Sequence, residues 1–259
     1  MSLYALVSPG GSAGCTTTAL ALALTWPRPV ILAECDPAGG DILAGLFAGH
    51  MPAPRGLLGV AFEAGRGVEA MSVEAGAQLA ALDGSGTRMF LAGLSDPRQA
   101  PGLAPAWPAI GRMLSSQPCD VIADCGRLDA GDGQPSAVLA AAQLVAMVLR
   151  SSLRQIAAAR PRIEMLARLL GGSERLGLVL VGDKSHSYAE ISRTLGVPVL
   201  ASIALDARTA AVLSDGVGRR TNLADRPLMR AAMVAGAAIT KAARDAMPLD
   251  LAVTNGHLA

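Results

Sequence analysis

The run Leu3-Tyr4-Ala5-Leu6-Val7-Ser8-Pro9-Gly10-Gly11-Ser12-Ala13-Gly14-Cys15-Thr16-Thr17-Thr18 decides how the rest of the chain is read. Residues 3–7 are apolar and continuous, as in a strand buried on both faces. Residues 8–15 form a Gly-rich turn, and residues 16–26 continue as a helix. A turn of this kind lets backbone N–H groups point inward at a phosphate, and the helix N-terminus adds the positive end of its dipole. The threonines can cap the helix, and one of them can reach a metal. The competing reading is a tight, capped strand-to-helix turn with no ligand.

Outward from this segment, the same alternation recurs. Apolar runs at 30–34, 89–91, 121–124, 144–149, 178–181 and 199–203 read as further buried strands. Helical patterns cover 73–82, 107–115, 152–170, 188–195 and 228–246. Pro161 is expected to bend or divide the third of these. Gly196 is a stop signal for the helix before it, and Pro198 opens the next strand. Alternating strands and helices imply an α/β fold: a doubly wound, mostly parallel sheet of about seven to eight strands with helices on both faces. Residues 49–56 and 95–105, rich in Gly and Pro, read as surface loops. Residues 1–248 read as one domain, and 249–259 as a poorly packed tail that makes no convincing amphipathic helix.

The composition agrees. In 259 residues, 51% are hydrophobic but only 3% aromatic, so the core must be built from Ala, Leu, Val and Ile. The mean hydropathy is +0.41 and the formal net charge +1. That charge argues against nucleic-acid binding through bulk electrostatics, leaving only a local patch. Such a patch is offered by Arg150, Arg154, Arg160, Arg162 and Arg168 around one helix, which equally read as a solvated face. No apolar run reaches the length of a membrane span. The basic-free start suggests no signal peptide, and four scattered cysteines suggest no disulfide framework, so a cytoplasmic setting is expected.

Ligands in such sheets bind beyond the C-terminal ends of the strands, and two more strand ends carry carboxylates. The second strand leads into Glu34-Cys35-Asp36-Pro37-Ala38-Gly39-Gly40-Asp41. If the strand persists, Glu34 and Asp36 share a face and form a pair that can hold Mg²⁺ or orient water. Otherwise Asp36 or Asp41 caps the next helix. The run Asp120-Val121-Ile122-Ala123-Asp124-Cys125-Gly126 ends in a carboxylate suited to standing behind a magnesium ion, or in an ordinary turn aspartate. Cys15, Cys35 and Cys125 should approach this same sheet edge, with Cys119 at the opposite end of its strand. The three histidines show neither ligand nor triad spacing.

In order and spacing these segments resemble the ParA/MinD family of deviant Walker-A P-loop ATPases, over about residues 2–245. Gly10-Gly11-Ser12-Ala13-Gly14-Cys15-Thr16-Thr17 occupies the frame of the family's Lys-Gly-Gly-x-Gly-Lys loop with its following hydroxyl residues. Glu34-Cys35-Asp36-Pro37 is similar to the family's Asp-x-Asp-Pro segment, and Asp124-Cys125 to the end of its Walker B strand. Residues 178–183 resemble the strand that meets the purine base, and residues 195–206 the passage after it. The resemblance implies ATP held by residues 10–17 together with Asp183. It implies Mg²⁺ held by Thr16, Asp36 and Asp124, and Asp36 as the catalytic or water-orienting carboxylate.

It also implies a homodimer that nucleotide closes and hydrolysis reopens, acting as a spatial organiser on DNA, membrane or partner proteins. The departures weaken this. Cys15 stands where the family has the lysine that contacts the β- and γ-phosphates, and Gly10 where it has the lysine that crosses the dimer. Ser12 replaces a glycine. Removing one charge-assisted hydrogen bond to phosphate costs about 1.5–3 kcal/mol. Uncompensated transition-state charge costs more, so ATPase activity should be weak or very slow. Arg127 or Arg150 could restore the charge. The alternative is a pseudo-ATPase, a scaffold that recruits a protein partner in pilus, secretion or partition machinery without hydrolysis. A third reading, unrelated enzyme chemistry, lacks any visible nucleophile–base arrangement.

Overall fold

The computed structural model describes residues 1–11, 13–48, 56–129, 133–182, 186–217 and 222–246. In chain order the elements are β1 (Leu3–Ser8), α1 (Cys15–Thr25), β2 (Val30–Glu34), α2 (Gly56–Phe62), α3 (Val68–Gln78), β3 (Ala80–Ala81) and β4 (Arg88–Leu91). There follow α4 (Ala100–Leu103), α5 (Trp107–Ser115), β5 (Asp120–Arg127), α6 (Ser136–Ala141), β6 (Leu144–Arg150) and α7 (Leu153–Leu170). The chain continues with β7 (Leu176–Val181), α8 (Tyr188–Leu195), β8 (Val199–Ile203), α9 (Ala207–Asp215) and α10 (Pro227–Asp245).

Among the described residues, eight strands form one sheet in the order β3-β4-β2-β5-β1-β6-β7-β8. Every pairing is parallel except that of the two-residue edge strand β3 with β4. The apolar runs are continuous because both faces are covered. In β1, Leu3, Ala5 and Val7 enter one core with α2, α3, α5, α6, α7 and α8. Tyr4 and Leu6 enter the other with α1, α9 and α10. Connections from β1 lead toward β2 on one side, and those from β6 toward β7 on the other. Winding therefore reverses at β1, and its C-terminal end opens the crevice where such sheets bind ligands.

The opposite end of the sheet is tied by Asp120, which is buried. Its carboxylate accepts from Ser2 N (3.0 Å), Trp26 Nε1 (2.9 Å) and Arg28 Nε (2.8 Å), and Trp26 in turn packs on Tyr4 with ring centroids 5.2 Å apart. Cys119 lies at this end, away from the other cysteines, as expected.

Several boundaries depart from the sequence reading. The helix expected at 73–82 is α3, which starts at Val68 and stops at Gln78, so that Ala80–Ala81 can pair with β4. Residues 95–105 are not an irregular loop but successive helical turns, with Asp96 capping Pro97–Gln99 and Leu103 fully buried. Pro161 does not divide α7. It and Ala157, whose carbonyl it leaves without a helical partner, are both exposed. Helices α2, α6 and α9 went unread. The loop expected at 49–56 falls outside the described residues except for Gly56, which opens α2, and the tail from 249 lies wholly outside them.

Candidate functional site at the C-terminal end of strand β1

The crevice is built from the ends of β1, β2 and β5. Ser8, the last residue of β1, is buried and donates its hydroxyl to Gly10 O (3.1 Å) and Gly126 O (3.4 Å), tying the Gly-rich turn to β5. Gly14 takes the left-handed conformation at φ 85°, which turns the chain abruptly into α1. No side chain caps α1 and no acidic residue lies in its first turn. Intrahelical bonding begins with Thr18 N to Gly14 O (2.9 Å), so the amides of Cys15, Thr16 and Thr17 precede the first helical bond. An uncapped helix start behind a Gly turn is a neutral cradle for an anion. Gly10, Gly11, Ala13 and Gly14 are placed as expected along this turn, while Ser12 and Asp183 lie outside the described residues.

Three of the anticipated residues converge. Asp124 is buried within β5 and accepts hydrogen bonds from Cys15 Sγ (3.3 Å) and from Gly126 N (3.1 Å), with the Thr16 hydroxyl acting on it as a third donor. Burial raises its pKa, and those three donors oppose the rise. Asp36 follows the end of β2, half-buried, and accepts from Ala38 N (2.8 Å). Burial pushes it up to about 6; the Ala38 amide opposes this, and repulsion from Asp124 and Asp41 adds to it. Its approach to β5 depends on Gly126. A Cβ at that position would lie 1.7 Å from Asp36 Oδ2, and Gly126 has φ 62°.

Glu34 and Asp36 do not form the expected pair. The strand ends at Glu34, and the chain then turns away. The Glu34 carboxylate is buried and accepts from Ile42 N (2.9 Å) and Gly93 N (3.1 Å), so it serves the backbone rather than a ligand. Burial lifts its pKa to about 7 against those two amides. Neither substitute cation hydrogen-bonds to the site, although Arg127 acts on Asp36 through space and opposes the rise in its pKa. Arg127 is exposed and held by Asp129, at 2.7 Å from Nε. Arg150 ends β6 on the exposed side. Arg154, Arg160 and Arg168 are exposed on α7, whereas Arg162 is half-buried and donates to Leu128 O at 2.7 Å.

The cysteines assemble as expected, but as packing. Cys125 and Cys35 are buried and close enough that Cys35 raises the Cys125 pKa, and burial and Asp124 hold the Cys15 thiol well above the usual range, making it a neutral donor. Among the described residues, no group of three His, Cys, Asp or Glu converges to hold a metal.

Beside Thr16 and Thr17 opens a cleft of 560 Å³, closed by Asp41, Ile42 and Gly45 on one side and Leu213–Asp215 of α9 on the other. The sequence reading missed this wall because α9 was unread. Its signal was present in Asp206, which caps the helix by accepting from Thr209 N (3.1 Å), and in Gly216, which ends it.

The donor set tests the implied ligand. Thr16, Asp36 and Asp124 present the oxygens a magnesium ion takes, and the uncapped first turn of α1 presents amides to phosphate. The charge does not fit as well. The loop holds the Cys15 thiol, already committed to Asp124, and the carboxylates acting on it are Asp124 and Asp36.

No protein-family model matches the chain, and no curated protein matches it in sequence. Solved structures do match in fold. The septum site-determining protein MinD of Pyrococcus horikoshii, complexed with Mg-ADP, superposes with a TM-score of 0.70 at 15% identity, covering 96% of this chain and 99% of that one. The cell division ATPase MinD of Pyrococcus furiosus gives 0.71 at 17% identity, covering 93% and 98%. A ParA family ATPase of Chlorobium tepidum gives 0.71 at 14% identity, covering 91% and 97%. At these identities the likeness establishes architecture: this chain has the fold of the MinD and ParA ATPases.

Proposed function

We propose that the chain is a MinD/ParA-like spatial organiser, working as a homodimer with a protein partner, whose nucleotide site binds MgATP weakly and hydrolyses it very slowly or not at all. The observation that carries this reading is the Cys15–Asp124 hydrogen bond at 3.3 Å. A buried carboxylate is satisfied by a neutral thiol in the place where the family's loop would offer a cation. Such a loop retains amides and oxygens for a magnesium–phosphate group, with Thr16, Asp36 and Asp124 on the metal side. It lacks the fixed positive charge that catalysis of phosphoryl transfer requires. Bound, MgATP would supply the charge and contacts that hold two copies together.

The second reading, a pseudo-ATPase scaffold, is favoured by Arg127. This candidate replacement cation is engaged by Asp129 and largely exposed, acting on Asp36 only through space. Under that reading the fold serves only to present its surfaces to a partner. The exposed arginines of α7 remain a candidate nucleic-acid surface under either reading. No helix among the described residues is long and apolar enough to cross a membrane.

Calorimetric titration with MgATP, paired with a phosphate-release assay, separates the two. Micromolar binding abolished by Thr16→Ala and Asp36→Ala supports a switch. Binding that is millimolar or absent in the wild type, with no phosphate release above background, supports the scaffold.

A further inference from the structure

The sequence offers Glu34 as a partner of Asp36 only if strand β2 persists; the strand stops, and the Glu34 carboxylate faces two backbone amides from different segments. Ile42 N belongs to the acidic loop of residues 36–47, and Gly93 N to the turn after β4. The same two segments meet again where Gly40 N donates to Leu94 O at 2.8 Å. The loop carries Asp36 and Asp41, and its far end abuts α9 so closely that a Cβ on Gly45 would lie 1.9 Å from Ser214 O. The sequence around Glu34 is shaped to admit its carboxylate. A Cβ on Gly40 would lie 2.3 Å from Glu34 Oε2, and one on Gly93 would lie 2.8 Å from Glu34 Cβ. Neither glycine adopts a positive φ, so neither is required by backbone conformation. What excludes a side chain at Gly40 is the Glu34 carboxylate.

We propose that Glu34 is a positioning residue: by accepting the amides of Ile42 and Gly93, it staples the acidic loop to the end of β4 and so sets Asp36 and Asp41 against Thr16. A carboxylate suits this task because both of its oxygens accept. Glutamine would turn one acceptor into a donor facing an amide N–H. The metal-side role of that loop rests on the nucleotide reading above; the staple itself does not.

The test uses four variants: Glu34→Gln, Gly40→Ala, Glu34→Ala and the double variant Glu34→Ala/Gly40→Ala. Amide hydrogen exchange is read at Ile42, at Gly93 and through residues 36–47, with β5 as internal control, and MgATP affinity is read by calorimetry. Glu34→Gln and Gly40→Ala should each speed exchange in the loop at least tenfold while leaving β5 protected. Gly40→Ala acts only by pushing the carboxylate off its amides, so in the Glu34→Ala background it should add nothing. Unchanged loop exchange in Glu34→Gln overturns the proposal. So does a Gly40→Ala effect that persists undiminished without Glu34. If the wild type binds MgATP, both single variants should weaken it at least tenfold, and equal affinity overturns the positioning role. If the wild type binds none while exchange responds as stated, the staple stands and the nucleotide reading falls.

Discussion

Raising the pH from 5 to 8 should destabilise this protein, the reverse of ordinary acid denaturation. The magnitude comes chiefly from Glu34, whose side chain is 3% exposed and whose pKa is raised from 4.5 to about 7. Between those two values the folded state holds a proton that the unfolded state has released. Stability therefore falls as pH rises, by 2.303RT for each unit of difference. The shift corresponds to about 3 kcal/mol, fully present below the unfolded pKa and lost above about 7. Asp36, raised from 3.8 to about 6, acts in the same direction but is partly exposed and adds less. Asp124 is raised too. Asp83 and Asp206 are lowered, and their stabilisation is lost only as pH falls below the usual aspartate range, outside the window. Urea denaturation at half-unit intervals is the assay. With a slope of about 3 kcal/mol per molar, the midpoint should drop by roughly 1 M across the window. Glu34→Gln, which cannot ionise, should remove most of that drop. A midpoint that stays flat or rises from pH 5 to 8, or an equal drop in the glutamine variant, refutes the reasoning.

Other substitutions probe other parts of the structure. Cys15→Lys should tighten MgATP binding at least tenfold, since one charge-assisted hydrogen bond to phosphate is worth about 1.5–3 kcal/mol; calorimetry against the wild type measures it. Gly126→Ala should cost about 1–3 kcal/mol in chemical denaturation, because φ 62° is unfavourable to alanine and its Cβ would displace Asp36. Asp120→Ala strips the acceptor from Ser2, Trp26 and the half-exposed Arg28, and should lower stability by about 3 kcal/mol, read by the same method. Saturating Mg²⁺, if it binds beside Asp36 and Asp124, should release protons, which calorimetry in buffers of different ionisation enthalpy detects.

The strands were legible because a parallel sheet covered on both faces writes itself as uninterrupted apolar runs. All seven runs read in the sequence are strands, and among the described residues only the two-residue β3 escaped. The misread stretch at 95–105 shows where composition deceives. Its prolines looked like loop punctuation, but Pro97, Pro101 and Pro105 each sit in the first turn of a short helix, where a missing N–H costs nothing. At the site, Thr16, Asp36 and Asp124 were legible because they stand in the first turn of α1, just after β2 and within the C-terminal half of β5, all at the crevice. The conditional pairing of Glu34 with Asp36 does not form because the strand stops at Glu34, and periodicity says which way a side chain leaves a strand, not what it meets. The two partners of Glu34 lie 8 and 59 residues away. The sequence offers Arg127 as a replacement charge, and nothing in the spacing shows that Asp129, two residues on, engages it.

A fold that buries several carboxylates around a loop without lysine has to keep them from opposing one another, and the structure does this with neutral donors. Asp124 takes a thiol, a hydroxyl and an amide; Glu34 takes two amides; Asp36 takes one. Hydrogen bonds of this kind offset desolvation only in part. That is why Glu34 and Asp36 remain raised into the range between pH 6 and 7 instead of settling at ordinary carboxylate values. In that range part of the charge is removed by protons. A lysine in the place of Cys15 would do the same work with a fixed charge, and would then face phosphate as well. Exchanging the cation for a thiol preserves the packing of the loop, because Cys15 is small, buried and bonded, while giving up the group that would make the crevice attractive to a polyanion.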